Sequence, residues 1–118
     1  MDLYLDKDKS PHIVIWINSP IQVKIDCIID TGFSGGLSLP QKYKYILKGE
    51  KSITFLNYQL GDGTSKMFEI FNLRVKFRQN EKNLAVFFTD CQDAIAGIEF
   101  LAGFKFILDL KKFVINLD

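Results

Sequence analysis

The sequence is poor in the residues that metal sites and nucleophilic catalysis usually require. It contains only two cysteines and one histidine. Cys27, Cys91 and His12 stand at unrelated spacings, which argues against a transition-metal site and against a Cys-His or Ser-His-Asp arrangement. We expect Cys27 to be a small core residue, His12 to be a surface or strand-edge residue, and neither thiol to be catalytic. The sequence therefore predicts no metal and no other cofactor.

Long apolar runs and an excess of one charge are also missing. The first nine residues have no apolar stretch like that of a signal peptide, and no uninterrupted apolar run is long enough to cross a bilayer. We therefore expect a soluble, cytoplasmic protein that keeps its thiols reduced and does not bind membranes. The net charge is +1. Basic and apolar residues alternate at Arg74, Lys76 and Arg78, as expected for the solvent-exposed face of a strand. The sequence therefore gives no support for nucleic-acid binding.

What the sequence does contain is a series of short alternating or apolar stretches between turn residues, which is typical of an all-β fold. The 118 residues fit a single domain, 1–118, with no repeat and no linker. Strands are predicted at 12–17, 21–29, 53–60, 65–78, 84–89, 104–110 and 113–117. Residues 18–20 are expected to form a turn, and Pro40 to begin a short helix or a packed loop. A second short helix is predicted over 98–102, and residues 1–9 form either a frayed end or a strand at a dimer interface.

One stretch presents an acid at the end of a rigid strand. Apolar and polar residues alternate from Ile21 to Asp30, so one face is buried and Asp30 stands where the strand stops. Gly32, Gly35 and Gly36 follow, and they permit positive φ or a close backbone approach. Thr31 and Ser34 add hydroxyls beside the carboxylate. Asp30 is therefore a candidate general acid or base.

A carboxylate in such a role usually has a partner that separates the two pKa values. Asp26 shares a strand face with Asp30, but four residues of strand separate the two by roughly 13 Å, too far for a shared proton. Asp62, Asp90, Asp93 and Asp109 are not set between an apolar strand and a glycine turn. The best-matched partner for Asp30 is the Asp30 of a second copy of the chain.

On these residues, the chain resembles the aspartic peptidases, in particular the single-lobed retropepsin-like families. Residues 30–35 match the catalytic Asp-Thr-Gly motif, 58–64 lie where these families carry the flap hairpin, and 95–101 match the hydrophobic-hydrophobic-glycine segment and short helix. Order and spacing agree from about His12 to Asn116. The continuation after the motif is closer to cellular prokaryotic-type members than to viral ones.

The resemblance implies a closed β-barrel of one lobe with one or two short helices. It also implies a homodimeric aspartic endopeptidase that acts on extended polypeptides. Because the Asp-Thr-Gly triplet occurs once, a site with two carboxylates needs two chains. In the family's pattern, Asp30 activates water, Thr31 bonds across the dimer, Gly32 lets the substrate backbone approach, and Ser34 supports the outer carboxylate oxygen.

The other two matching segments also have plainer interpretations. The tip Gly61-Asp62-Gly63-Thr64 would be the flap, but taken alone it is an ordinary tight hairpin, and it lacks the extra glycines of viral enzymes. Ala96 and Gly97 would support the site, but taken alone they are core packing, with Gly97 needed for close backbone contact. Ala96 stands where the family often has a larger aliphatic residue. Four aromatic residues could line apolar pockets or belong to the core: Phe33, Phe55, Tyr58 and Phe68.

Two other functions are compatible with the residues. The same fold could serve as a dimerisation or peptide-binding module with little turnover, since fold does not determine function. Alternatively, the chain could be a plain β-barrel binding domain that matches by accident. That alternative predicts a monomer that is indifferent to substitution of Asp30.

Overall fold

The computed structural model of the chain describes residues 1–18 and 21–118, and its helices and strands lie within those residues. The strands are, in chain order, β1 (Leu3–Leu5), β2 (Pro11–Ile17), β3 (Val23–Ile29), β4 (Leu37–Pro40), β5 (Thr54–Gln59), β6 (Ser65–Phe77), β7 (Asn80–Thr89), β8 (Ala94–Ala96), β9 (Phe106–Asp109) and β10 (Val114–Leu117). A 3-10 helix spans Gln41–Leu47, and one α-helix, α1, spans Ile98–Leu101.

Six of these strands close into a barrel. The order around it is β2-β3-β8-β4-β7-β6, and β6 returns to β2 through the pairs Trp16–Lys76 and Ile17–Val75. Strand β1 lies outside the ring on β2, and β5 lies outside it on β6. Strands β9 and β10 form a separate hairpin. The prediction of an all-β, closed, single-lobed barrel with one or two short helices is confirmed.

Apolar side chains on the inner face of the strands hold the barrel together, and apolar and polar residues alternate along several of these strands. Ile13, Ile15 and Ile17 of β2 have no exposed surface, while their neighbour Trp16 is 39% exposed. The same alternation runs along β3 and β6, as their sequences predict. Burying one such aliphatic side chain contributes about 1.5–3 kcal/mol, so this inner face supplies most of the driving force for closing the barrel.

Two parallel pairings place the loop that carries Asp30. Strand β3 runs parallel to β8, and β4 runs parallel to β7. Strand β4 is buried at all four positions because β7 and β8 flank it on both sides. As a result the loop after β3 lies beside the end of β8, although about 65 residues separate them in the chain.

The structure corrects several predicted boundaries. Strand β7 begins at Asn80 rather than at Leu84, because Arg78 adopts a left-handed φ of 55° and makes the turn so tight that the polar residues after it pair with β6. Strands β4 and β8 were not predicted, since each is short and carries no alternation of its own. The predicted turn at 18–20 includes Ser19 and Pro20, which lie outside the described residues.

The amino-terminal segment pairs with the barrel through a polar cluster. Strand β1 lies antiparallel to β2, and Leu3 is buried. The Tyr4 ring stacks on the His12 ring with centroids 4.8 Å apart, and the Tyr4 hydroxyl donates to Asp26 on β3. His12 bridges two carboxylates, with Nδ1 2.9 Å from Asp26 and Nε2 2.8 Å from Asp6. A contact between this segment and a second chain stays a prediction.

Neither thiol is paired in the described part of the chain. Cys27 is fully buried, as predicted, and burial raises the pKa of its thiol. Cys91 is exposed. Within the same residues, no helix is long and apolar enough to span a membrane.

The polar cluster makes stability depend on pH. Burial alone would lower the pKa of His12, but its hydrogen bonds with Asp26 and Asp6 outweigh burial and raise that pKa above its usual value. A group with a raised pKa in the folded state stabilises the fold fully below its ordinary pKa, about 6.5 for histidine. That stabilisation is lost as the pH rises through the folded-state pKa.

We therefore expect the substitution His12→Gln to lower Tm more at about pH 5.5 than at about pH 8.5, by roughly 3 °C after allowance for solvent screening. Thermal unfolding of both proteins, followed by circular dichroism at the two pH values, measures this difference. An equal loss at both pH values would mean that the imidazolium does not contribute.

Candidate active site

A frame of backbone hydrogen bonds holds the loop that carries Asp30. The Asp30 N–H donates to the carbonyl oxygen of Ala96 over 2.9 Å, and the Gly97 N–H donates to that of Gly36 over 2.9 Å. The N–H groups of residues 98 and 99 then donate to the carbonyls of Phe33 and Gly35, over 2.8 and 3.1 Å. Since main-chain atoms make all these bonds, the position of Asp30 does not depend on the rotamer of a neighbouring side chain.

Gly97 allows the two backbone segments to come close enough to form these hydrogen bonds. A Cβ atom at this position would lie 2.4 Å from the carbonyl oxygen of Gly35 and 2.5 Å from that of Phe33, closer than real Cβ contacts come. The backbone of Gly97 is extended, with a φ of −106°, a conformation that any residue can adopt. Glycine is required here because there is no room for a Cβ atom. The expected close backbone contact at Gly97 is therefore present. Ala96, beside it, is fully buried.

The Asp30 carboxylate is exposed, and one of its two oxygens accepts a hydrogen bond. Its Oδ1 accepts a hydrogen bond of 2.8 Å from the Gly32 N–H, which aims the side chain away from the barrel interior. Thr31 and Ser34 are also exposed, and among the described residues neither hydroxyl bonds to Asp30. The roles predicted for Thr31 and Ser34 therefore stay predictions.

A cavity of about 580 Å³ opens beside Asp30 and Gly32. Residues 59–61, which lead into the hairpin tip, contribute to its lining, so Gly61 and Asp30 border the same cavity. An aromatic cluster forms much of the wall and consists of Phe33, Tyr58, Phe68 and Phe87. A larger depression, of about 750 Å³, lies beside the 3-10 helix and includes no residue of the Asp30 loop. We place the candidate site at the smaller cavity because it contains the acid.

The hairpin tip has the geometry of a tight turn. Asp62 accepts hydrogen bonds from the Thr64 hydroxyl, over 2.6 Å, and from the Thr64 N–H, over 2.9 Å. These bonds, the hydroxyl's first, hold the pKa of Asp62 below its ordinary value. Gly63 has a φ of +89°, which favours glycine. The plain interpretation of Asp62, Gly63 and Thr64 as turn residues thus accounts for their contacts, and a flap function for the tip stays a prediction.

Among the four aromatic residues singled out in the sequence, three line the cavity and Phe55 does not. Phe55 is 56% exposed and lies over a different depression. Phe87 lines the cavity and was missed. The alternation along β7 could have identified it, because Val86 and Phe88 face the core and Phe87 therefore points the other way.

Among residues 1–18 and 21–118, no group of three or more His, Cys, Asp or Glu side chains is placed to hold a metal ion. Asp30 is the one carboxylate among the described residues that line the cavity, and the lining also includes the hydroxyls of Ser34 and Tyr58 and the free thiol of Cys91.

No family model and no curated protein matches the sequence, but solved structures match the fold. A retropepsin-like aspartic protease from Rickettsia conorii superposes with a TM-score of 0.75 over 98% of this chain and 86% of its own, at 23% identity. The chain has the retropepsin-like fold. The fold also relates it to the protease of simian foamy virus, with a TM-score of 0.55, 14% identity and coverage of 76% of this chain and 90% of that one.

The retropepsin-like fold is shared by a third protein, the EIAV protease, solved with an inhibitor. It has a TM-score of 0.55 at 18% identity, over 81% of this chain and 88% of its own. The greater similarity to the Rickettsia protein than to the two viral ones agrees with the prediction that the chain is closer to prokaryotic-type members. At these identities the likeness establishes the fold.

The close approach at Gly97 leads to a prediction about stability. We expect Gly97→Ala to reduce the free energy of unfolding by about 3 kcal/mol, because the added methyl group must push apart two backbone segments. The matched control is Gly61→Ala, where a Cβ would meet nothing within 4 Å, and we expect a change within about 0.5 kcal/mol. Urea unfolding of the three proteins measures both changes. Equal stability of the two variants would contradict the packing argument.

Proposed function

We propose that this protein is an aspartic endopeptidase that works as a homodimer, with one Asp30 from each subunit. The observation that carries the proposal is the presentation of one exposed carboxylate by a backbone frame at the mouth of an apolar-walled cavity, in a retropepsin-like fold. One such chain supplies half of a two-carboxylate site. A two-fold axis beside Asp30 would supply the other half.

In the dimer, the two Asp30 carboxylates would share one proton, because two ionised carboxylates about 3 Å apart repel each other strongly. The ionised carboxylate takes a proton from a bound water as that water attacks the peptide carbonyl carbon. The protonated carboxyl donates to the carbonyl oxygen, which gives a tetrahedral intermediate. Collapse of this intermediate transfers a proton to the leaving amine and restores the pair. The two carboxyl groups and the attacking water supply every proton in this scheme.

The residues around Asp30 have supporting roles in this mechanism. The Gly32 N–H already orients the carboxylate. Thr31 would bond to its counterpart across the axis, and Ser34 would hold the outer carboxylate oxygen. Ala96 and Gly97 hold the loop through the backbone. The tip formed by residues 61–64 would close over the substrate and exclude water.

The proposed substrate is an extended polypeptide with apolar residues near the scissile bond. The aromatic cluster provides apolar walls beside Asp30, and residues 59–61 of the hairpin line the same cavity. In the proposed complex an extended chain would lie along this hairpin and form main-chain hydrogen bonds with it. An extended substrate exposes its amide groups on both sides, which suits a cleft between two such hairpins.

We expect Asp30→Asn to lower kcat/KM by at least about a thousandfold, because the amide can neither take nor share the proton. Cleavage of a mixture of unstructured peptides, read by mass spectrometry from mildly acidic to neutral pH, tests this. The matched control is Asp93→Asn, which neutralises an exposed carboxylate outside the cavity and should retain activity. Cleavage that survives in Asp30→Asn would exclude the proposal. A folded wild-type dimer that cuts nothing would favour the peptide-binding alternative.

The two-chain site predicts how mixed subunits behave. When wild-type and Asp30→Asn chains are refolded together in equal amounts, only roughly one dimer in four carries two intact Asp30 residues. Activity per total protein should then fall to roughly a quarter of the wild-type value, against roughly half if each chain acts alone. Analytical ultracentrifugation confirms that the mixture is dimeric. A fall to half would show that one Asp30 is sufficient.

A further inference from the structure

Strand β5 forms one arm of the hairpin beside the cavity, and backbone pairing with β6 is its main attachment to the barrel. It lies at the edge of the sheet, and among the described residues β6 is its only strand partner. Five of its six side chains are exposed, and Tyr58 alone is half-buried. Apart from backbone pairing, Tyr58 is therefore the main side-chain anchor of this strand.

The contacts of Tyr58 reach both the barrel wall and the Asp30 loop. Its ring stacks on Phe87 of β7, with centroids 4.8 Å apart and planes inclined by 20°. It meets the edge of Phe33 at 5.7 Å and lies 6.4 Å from Phe68. Phe33 follows the Asp-Thr-Gly triplet directly and itself meets Phe87 at 5.6 Å. The aromatic cluster thus joins the hairpin, the wall and the loop of the proposed catalytic acid.

The Tyr58 hydroxyl contributes little to this arrangement. In the described part of the chain it makes no hydrogen bond, although it lies close to Gly35, where a Cβ would come within 2.9 Å of it. Burial, followed by the charge of Glu99, raises the pKa of Tyr58, so the ring stays neutral. The anchor is therefore the aromatic ring, and phenylalanine can replace it.

From these contacts we infer that Tyr58 is a positioning residue, whose ring holds the hairpin at the side of the cavity and thereby sets where a polypeptide substrate lies against Asp30. This inference rests on the proposed peptidase function. In the free protein the ring stacks on Phe87, meets the edge of Phe33 and keeps strand β5 in place. A substrate then meets a hairpin arm that is already in place, and less conformational freedom is lost when it binds.

The test compares Tyr58→Ala with Tyr58→Phe and with the control Phe55→Ala. Phe55 is an aromatic residue of the same strand, but it is 56% exposed and lies away from the cavity. Loss of the stacked ring in Tyr58→Ala should raise KM about tenfold and change kcat by less than about threefold. Tyr58→Phe and Phe55→Ala should both keep the wild-type KM. A variant that merely folds poorly would instead lose kcat at unchanged KM.

Hydrogen exchange supplies a readout that needs no activity. Those amides of residues 54–59 that are hydrogen-bonded to β6 should exchange about tenfold faster in Tyr58→Ala than in the wild type, while those of β2 and β3 stay unchanged. Phe55→Ala should match the wild type throughout. If Tyr58→Ala and Phe55→Ala behave alike in both exchange and KM, Tyr58 is not the anchor, and the inference is overturned.

The two proposals can fail separately. A wild-type dimer that cleaves no peptide overturns the peptidase proposal, and the role of Tyr58 as a substrate-positioning residue is overturned with it. Cleavage that depends on Asp30 but is unaffected by Tyr58→Ala overturns only the inference about Tyr58. Cleavage with a raised KM, faster exchange at 54–59 and rescue by Tyr58→Phe supports both.

Discussion

The candidate site depends on how closely the backbone at Gly97 approaches the carbonyl oxygens of Phe33 and Gly35. No side chain fits between these segments, and backbone hydrogen bonds from residues 97–99 hold the loop that follows Asp30. Asp30 is bonded to the same frame through Ala96. A carboxylate held by main-chain bonds keeps its position while it stays exposed to solvent. The proposed pairing of Asp30 with its copy in a second subunit requires both properties.

The barrel provides this frame through two parallel pairings, β3 with β8 and β4 with β7. Parallel neighbours bring the ends of strands that are distant in sequence to the same edge, so the Asp30 loop and the Gly97 segment meet there. Apolar burial inside the ring supplies the stability, and Phe100 of α1 is buried in the same core as the isoleucines of β2. Site and core therefore share elements, and a change at Gly97 acts on both.

Much of this could be predicted from the sequence. The alternation over 21–30 identified the strand, its buried face and the acid at its end, because period two is a local property of the chain. The glycine-tipped hairpin and the short helix near 98 were also predicted, because turn residues act locally. Strands β4 and β8 were missed, since three or four residues show no period and pair only with partners far along the chain. Phe87 was missed as a cavity residue because the alternation along β7 shows that its side chain faces away from the core but does not show that a cavity lies on that face.

The sequence by itself determined an all-β chain with one Asp-Thr-Gly triplet at the end of an alternating strand, because strand alternation and turn chemistry depend only on neighbouring residues. Tertiary structure alone decided what surrounds that acid. The close contact at Gly97 and the aromatic cluster that joins Phe33, Tyr58 and Phe87 result from contacts between elements that are distant in sequence. Which face of a strand meets a cavity depends on where the barrel closes. Barrel closure is a property of the whole set of strands, and no local segment encodes it.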